Sequence, residues 1–272
     1  MATYFALLNG VMGIARQRIL FYKTASRTTV AGGWFTNFDL AGNPGAGTLA
    51  IGNTANGTVP TDAVAGYPAI NAFGSGAKGY LARLALKNTV VGQIRLFDRV
   101  FAAGAYAFNA NTALTAQPSF AARVSLNGGA ADYKELELWA NQVTAATGNQ
   151  AVTVTYTNDA DVTGRSTGAL GIGAAPTVGR CWQLPFAAGD KGVKLITNVQ
   201  GTVATAGTFN VMLLRPLADV YIDVANKAVI QDANMLGFPE LFADSAIYAL
   251  LMSPSGTALG TMDIGNLDIV NG

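Results

Sequence analysis

Four segments between Glu135 and Asp223 decide the fold: ELELWANQV (135–143), AVTVTYTNDADVTGR (151–165), RCWQLPFAAGDKGVKLITNV (180–199) and TFNVMLLRPLADVYID (208–223). Val152, Val154 and Tyr156 alternate with Thr153 and Thr155, the period of two that a half-buried strand requires. Leu136 and Leu138 alternate with Glu135 and Glu137, and Phe209, Val211 and Leu213 lie opposite Asn210 and Met212. Asn158-Asp159, Gly189-Asp190 and Ala206-Gly207 supply turn chemistry between these runs. The stretch therefore predicts an antiparallel β-sandwich.

Outward from it the same period continues. Tyr80, Ala82, Leu84 and Leu86 oppose Leu81, Arg83, Ala85 and Lys87, while Ile94, Leu96 and Val100 oppose Gln93, Arg95 and Arg99, with Phe97 on the polar side. A further strand is expected around Phe120–Leu126, a short helical turn within VANKAVIQDANMLGFPELF (224–242), and closing strands in AIYALLM and TALGTMDIGNLDIV. Residues 1–22 carry helical spacing at Leu7, Val11, Ile14 and Arg18, weakened by Gly10 and Gly13. The whole reads as an all-β, jelly-roll-like sandwich of roughly eight to ten strands, with immunoglobulin-like topology as the rival. Residues 79–272 form the sandwich, and 1–78 an extended Gly/Asn-rich N-terminal arm with at most short helices. The segment has almost no sustained period, yet it carries Trp34, Phe35, Phe38, Tyr67 and Phe73, rings that a disordered linker lacks, and an arm that docks on something or a set of ordinary surface loops accounts for it. Those five are the candidate interaction residues, with Trp34 foremost as an anchor in a neighbouring subunit.

Composition narrows function. Charged residues are 12% of the chain, against ~25% in ordinary soluble domains, and glycine is 32 of 272. A surface this poor in charge fits one covered by other subunits. A net charge of +1 predicts no nucleic-acid partner and no attraction to anionic lipid. No apolar run approaches the ~20 residues of a membrane span. The order of the N-terminal apolar run and Arg16 and Arg18 argues against a secretory signal. Cys181, the single cysteine, reads as a buried inert thiol beside Trp182.

The chain has no histidine, which excludes Ser-His-Asp and Cys-His catalysis and His-ligated metals. Gly164-Arg165-Ser166-Thr167-Gly168 matches a nucleophile elbow in letters, but no histidine base exists and ALGIGAAP cannot form the helix that must follow. It reads as a loop joining strands. Ser75-Gly76-Ala77-Lys78 fits S-x-x-K and lies inside a formal G-x-G-x-x-G, with no strand before it. Asn158, Asp159 and Asp161 offer oxygens to an ion but lack a complete calcium loop, and a turn explains them equally. No cofactor and no metal is expected. An enzyme would have to work through carboxylates alone, and Glu135 with Glu137 look like a solvent-facing edge.

The runs TYTNDADVTGR, LPFAAGDKGVKLITNV and GTFNVMLLRPLADV, and secondarily FYKTASRTTVAGGWFTNFDLAGNPGAG, resemble structural proteins of tailed-bacteriophage particles, in particular capsid decoration (cement) proteins. The resemblance covers roughly 100 of the 272 residues and rests on style and strand order. It implies a non-enzymatic β-sandwich located in the virion and made in the host cytoplasm. Its partners would be the major capsid protein and copies of itself, with a homotrimer favoured. The chain is longer than many cement proteins, which leaves room for a tail or fibre-base role. The alternative is a carbohydrate-binding or adhesin-like tail module, for which Trp34 with Asp39 is the sequence hint.

Overall fold

The computed structural model describes residues 16–174, 177–201, 206–262 and 264–272. Among them the chain is almost wholly antiparallel β-structure, as the period-two pattern requires. Its centre is a ring of six strands. In spatial order these are β15 (Thr208–Ile222), β9 (Glu137–Thr144), β13 (Arg180–Gln183), β3 (Trp34–Thr36), β18 (Ile247–Met252) and β7 (Gly92–Ala107), with β7 pairing back onto β15 to close it. β5 (Asn53–Thr58) adds to β7 outside the ring.

Two further sheets cover the outside of this ring. One runs β11 (Arg165–Ser166), β10 (Asn149–Asn158), β14 (Val193–Gly201), β8 (Asn111–Ala113), with β12 (Leu170–Ala174) also on β10. The other runs β1 (Arg16–Leu20), β19 (Ile264–Asn271), β6 (Gly79–Lys87), β16 (Val229–Gln231), with β17 (Glu240–Leu241) also on β6. A small pair joins β2 (Tyr22–Lys23) to β4 (Gly42–Asn43).

Each interface has its own core. Val152, Val154, Tyr156, Ile196 and Val199 of the β10–β14 sheet pack on Phe209, Val211, Leu213, Val100 and Leu138 of the ring. Leu81, Leu84, Leu86, Leu267 and Ile269 of the β6–β19 sheet pack on Ile94, Leu96, Val220, Ile247 and Leu251. The inside of the ring is filled by Phe97, Trp139, Cys181, Met212, Leu214, Tyr248 and Leu250. Alternation along β15 thus sends Phe209, Val211 and Leu213 outward and Met212 and Leu214 inward, as the sequence pattern predicts.

Several expectations are corrected. The strands number nineteen among the described residues, many of them two or three residues long, so pattern reading found about half. Arg16–Leu20 is a strand paired with β19 rather than the end of a helix, because Ile19 buries in the sheet and Arg18 reaches Asp268; residues 1–15 of that expected helix lie outside the described residues. The strand expected at Phe120–Leu126 is two short 3-10 turns, Ala121–Val124 and Leu126–Gly128. The helical turn after Asp223 is present as α1 (Ala233–Leu236), capped by the Asp232 carboxylate on the Asn234 and Met235 amides and ended by Gly237 at φ 69°.

Residues 16–78 do not extend away from the sheets. They contribute β1, β3 and β5 to them, and the aperiodic remainder lies over one part of the ring. Its glycines give backbone that rings can lie against. A Cβ at Gly47 or Gly66 would sit 2.3 or 2.5 Å from the Phe38 ring, and one at Gly79, the first residue of β6, only 2.0 Å from Phe73. Lys23 clasps the same segment: its buried ammonium donates to the carbonyls of Leu40 at 3.0 Å and Pro44 at 3.0 Å, and more loosely to those of Phe38 and Gly45. Burial draws that amine down to about 8.

Candidate functional site

The five aromatic residues expected at a subunit interface are largely spent inside the chain. Phe35, Phe38 and Tyr67 are buried, while Trp34 and Phe73 are partly so. Trp34 lies in β3 and meets Trp139 edge-on at 6.1 Å, with the Arg95 guanidinium 5.8 Å from its ring. Phe38 packs at 4.7 Å from Tyr67 and 5.6 Å from Tyr248. Phe73 packs against the core beneath the β6–β19 sheet. Within the chain, three of the five rings are therefore packed against its own residues, while Trp34 and Phe73 keep part of their surface. An aperiodic glycine-rich segment with rings is equally the signature of a loop docked on its own domain. Asp39, the carboxylate paired with Trp34 in the glycan reading, is bound by Arg27.

The structure brings together a group of charges that sequence reading missed. Asp98 has no solvent exposure and accepts hydrogen bonds from five donors: Nε and Nη2 of Arg123, Nη2 of Arg215 at 2.9 Å, Oγ of Ser245 at 3.0 Å and the amide of Ala246 at 3.1 Å. Burial works against its charged form, but the Arg123 and Arg215 guanidiniums outweigh it and hold the carboxyl below its ordinary range. Its location explains its role. On β7, Ile94 and Leu96 belong to one outer core and Val100 to the other; on β15, Leu213 belongs to one and Leu217 to the other. Asp98 and Arg215 are register partners at the changeover on both strands. Arg123 adds a tie to the Pro60 carbonyl at 3.1 Å and the Asp244 carbonyl at 2.8 Å. The group is a polar joint between two apolar cores, and every oxygen of the carboxylate has a donor.

The next residue, Arg99, points the other way, among the residues that fill the ring. Its Nη1 donates to the Tyr67 hydroxyl at 3.1 Å and its guanidinium lies 5.1 Å from the Tyr248 ring. Beside it is a cavity of about 260 Å³ whose lining includes Phe38, Ile51, Pro60, Val64, Tyr67 and Arg99. Arg95, also in the ring, makes a two-nitrogen pair with Glu137, and Glu137 accepts the Trp139 indole N–H at 2.8 Å. Glu137 is therefore not a solvent-facing residue, and Glu135, at φ 64°, precedes β9 rather than sharing its face.

The remaining motifs resolve into local structure. In GRSTG, Arg165–Ser166 pairs with β10, Ser166 Oγ accepts from the Gly168 amide, and Arg165 reaches Asp190 at 2.8 Å. Ser75–Lys78 is a turn leading into a strand rather than a helix, and Lys78 pairs with Glu240 at 3.4 Å. Asn158 Oδ1 accepts from the amides of Ala160 and Val162, Asp159 from Lys191, and Asp161 pairs with Lys194, so the three oxygens serve the turn. Among the described residues no three His, Cys, Asp or Glu side chains converge as metal ligands. Asp190 gathers Arg165, Asn158 and Tyr156, and the Arg165 bond leads in drawing its carboxyl down to about 2. The Cys181 thiol is buried, and burial pushes it up to about 12.

No protein-family model matches the chain, and no curated protein matches it in sequence. Among solved structures it is similar, at 10% identity, to infectious bursal disease virus Gt strain (TM-score 0.16) and to the VP2 subviral particle of the same virus (TM-score 0.17), each alignment covering 95% of this chain and 81% of that one. At scores this low the likeness fixes neither the detail of the fold nor a function.

Proposed function

We propose that the chain is a non-enzymatic structural protein of a tailed-bacteriophage virion, a decoration or cement protein that reinforces the capsid shell through contacts with the major capsid protein and with copies of itself. The observation that carries this reading is how little charge reaches the surface. The chain has 17 Lys and Arg and 16 Asp and Glu. Seven of these, Lys23, Asp98, Arg99, Arg123, Arg215, Glu240 and Asp268, are buried. What remains outside includes exposed apolar side chains on and near the β16 edge strand: Tyr221 (65% exposed), Val224, Ile230 and Met235 (68%). Edge strands offer unpaired backbone groups, and exposed apolar side chains beside such an edge mark an association surface. With few charges to desolvate, such a contact keeps most of the ~25 cal/mol per Å² that apolar burial supplies, less the cost of association.

Because Phe35, Phe38 and Tyr67 are buried within the chain, this reading places the contact surface at the β16 edge. The test has two arms: mass photometry of the purified chain, and co-sedimentation with capsids assembled without it. A trimer that saturates the shell at regular stoichiometry supports the proposal, and Ile230→Lys with Met235→Lys should abolish both association and shell binding. A monomer that never sediments with capsids overturns it.

A further inference from the structure

We propose that the cavity beside Arg99 is a binding site for a carboxylate carried on a small apolar body. Arg99 is 1% exposed, yet no ion pair joins it to any carboxylate among the described residues. Its Nε and Nη2 are buried without a hydrogen-bond partner, and only Nη1 is engaged, by the Tyr67 hydroxyl. Other buried guanidiniums differ. Arg123 and Arg215 share Asp98, and Arg27 has Asp39. Their leftover N–H groups belong to cations that are already neutralised.

A guanidinium held out of water without a counter-charge is costly. The stacking of Arg99 on Tyr248 recovers only part of that cost. The two unused nitrogens, Nε and one Nη, form the edge that takes a carboxylate through two parallel bonds. The rest of the lining is mostly apolar: the Phe38 ring, Ile51, Pro60 and Val64 surround the space, with Thr48 and Thr58 adding hydroxyls. Val64 is 51% exposed at its rim, Phe38 and Tyr67 form buried wall, and Arg99 lines the space with its two unpartnered nitrogens covered just beneath its surface. A volume of about 260 Å³ holds about nine heavy atoms at the ~30 Å³ each takes in a liquid, the size of benzoate or of the ring and carboxylate of a terminal aromatic residue. This inference stands apart from the virion reading and does not depend on it.

The test titrates the full chain with benzoate and, separately, with benzamide, following ligand saturation-transfer NMR and calorimetry. A second pair of probes, a short peptide ending in Phe with a free carboxylate and its amidated form, distinguishes a free acid from a polypeptide terminus as the source. Binding of either carboxylate, weakened about ten-fold or more in the matching amide, supports the site. The rim variant Val64→Asp, which leaves the interior untouched, should weaken it similarly by like-charge repulsion; Arg99→Met should abolish it, with folding checked by circular dichroism. Equal binding of acid and amide, binding unaffected by Val64→Asp, or no binding at millimolar concentration by folded protein overturns the proposal.

Discussion

Replacing Asp98 by Asn is the most searching test of how this fold is held. The substitution keeps shape and one carbonyl oxygen but removes the charge and one acceptor from a group with five donors. It leaves the Arg215 guanidinium, 9% exposed at its side chain, without a counter-ion, and Arg123, 3% exposed, with only the half-exposed Asp244 carboxylate at 3.7 Å. Breaking one buried pair by removing a partner costs about 3–5 kcal/mol, and here two pairs share the partner, so about 3–5 kcal/mol is a floor. For a domain of this size each kcal/mol lowers Tm by about 2–4 °C, giving a fall of roughly 6–20 °C in differential scanning calorimetry. With a urea m-value near ~3 kcal/mol/M the midpoint moves down by about 1–1.7 M. A compensated variant separates charge from packing: Asp98→Leu with Arg123→Met and Arg215→Met removes all three charges together and should recover most of the loss. A single-variant cost below ~1 kcal/mol, or a triple variant no more stable than Asp98→Asn, would refute the account of Asp98 as the joint between the two cores.

Three further outcomes follow from the described geometry. Phe38→Ala should lower the stability of the isolated chain by about 3–5 kcal/mol in urea titrations, since its ring is enclosed by Gly47, Gly66, Tyr67 and Tyr248; a neutral result would return that ring to an intersubunit role. Asp190, drawn to about 2 from an unfolded value of ~3.9, contributes stability above pH ~4 that is lost as pH falls toward 2. The stability gap between wild type and Asp190→Asn should therefore shrink across that window, and a gap independent of pH would contradict it. Cys181 should resist thiol reagents at pH 8 in the native state and react on unfolding in urea, and rapid native labelling would show the ring interior to be open.

Much of the strand content was legible because period-two alternation is imposed wherever one face of a strand is buried. It was read correctly at β6, β9, β10 and β15. The pattern misled on β7, where Arg95, Phe97 and Arg99 alternate with Ile94, Leu96 and Val100. Closing the sheet into a ring buries both faces, and the supposed polar face became an interior. Nothing in the local period distinguishes an arginine pointing to water from one pointing to Tyr67 and Tyr248. The Asp98 group was invisible for a related reason. Its members come from positions 98, 123, 215 and 245, and only the fold brings them together. Short strands such as β11 and β17 carry too few residues to show any period.

The strand Ile264–Asn271 lies between β1 and β6, with Val270 opposite Arg16 and Tyr80. During synthesis β1 and β6 leave the ribosome early and must wait for a strand made some 180 residues after β6. Until it arrives, Leu81, Leu84 and Leu86 sit on a sheet with open edges, the arrangement most prone to pairing with another chain. The yield of native protein should therefore respond to translation speed and chaperone occupancy over that interval.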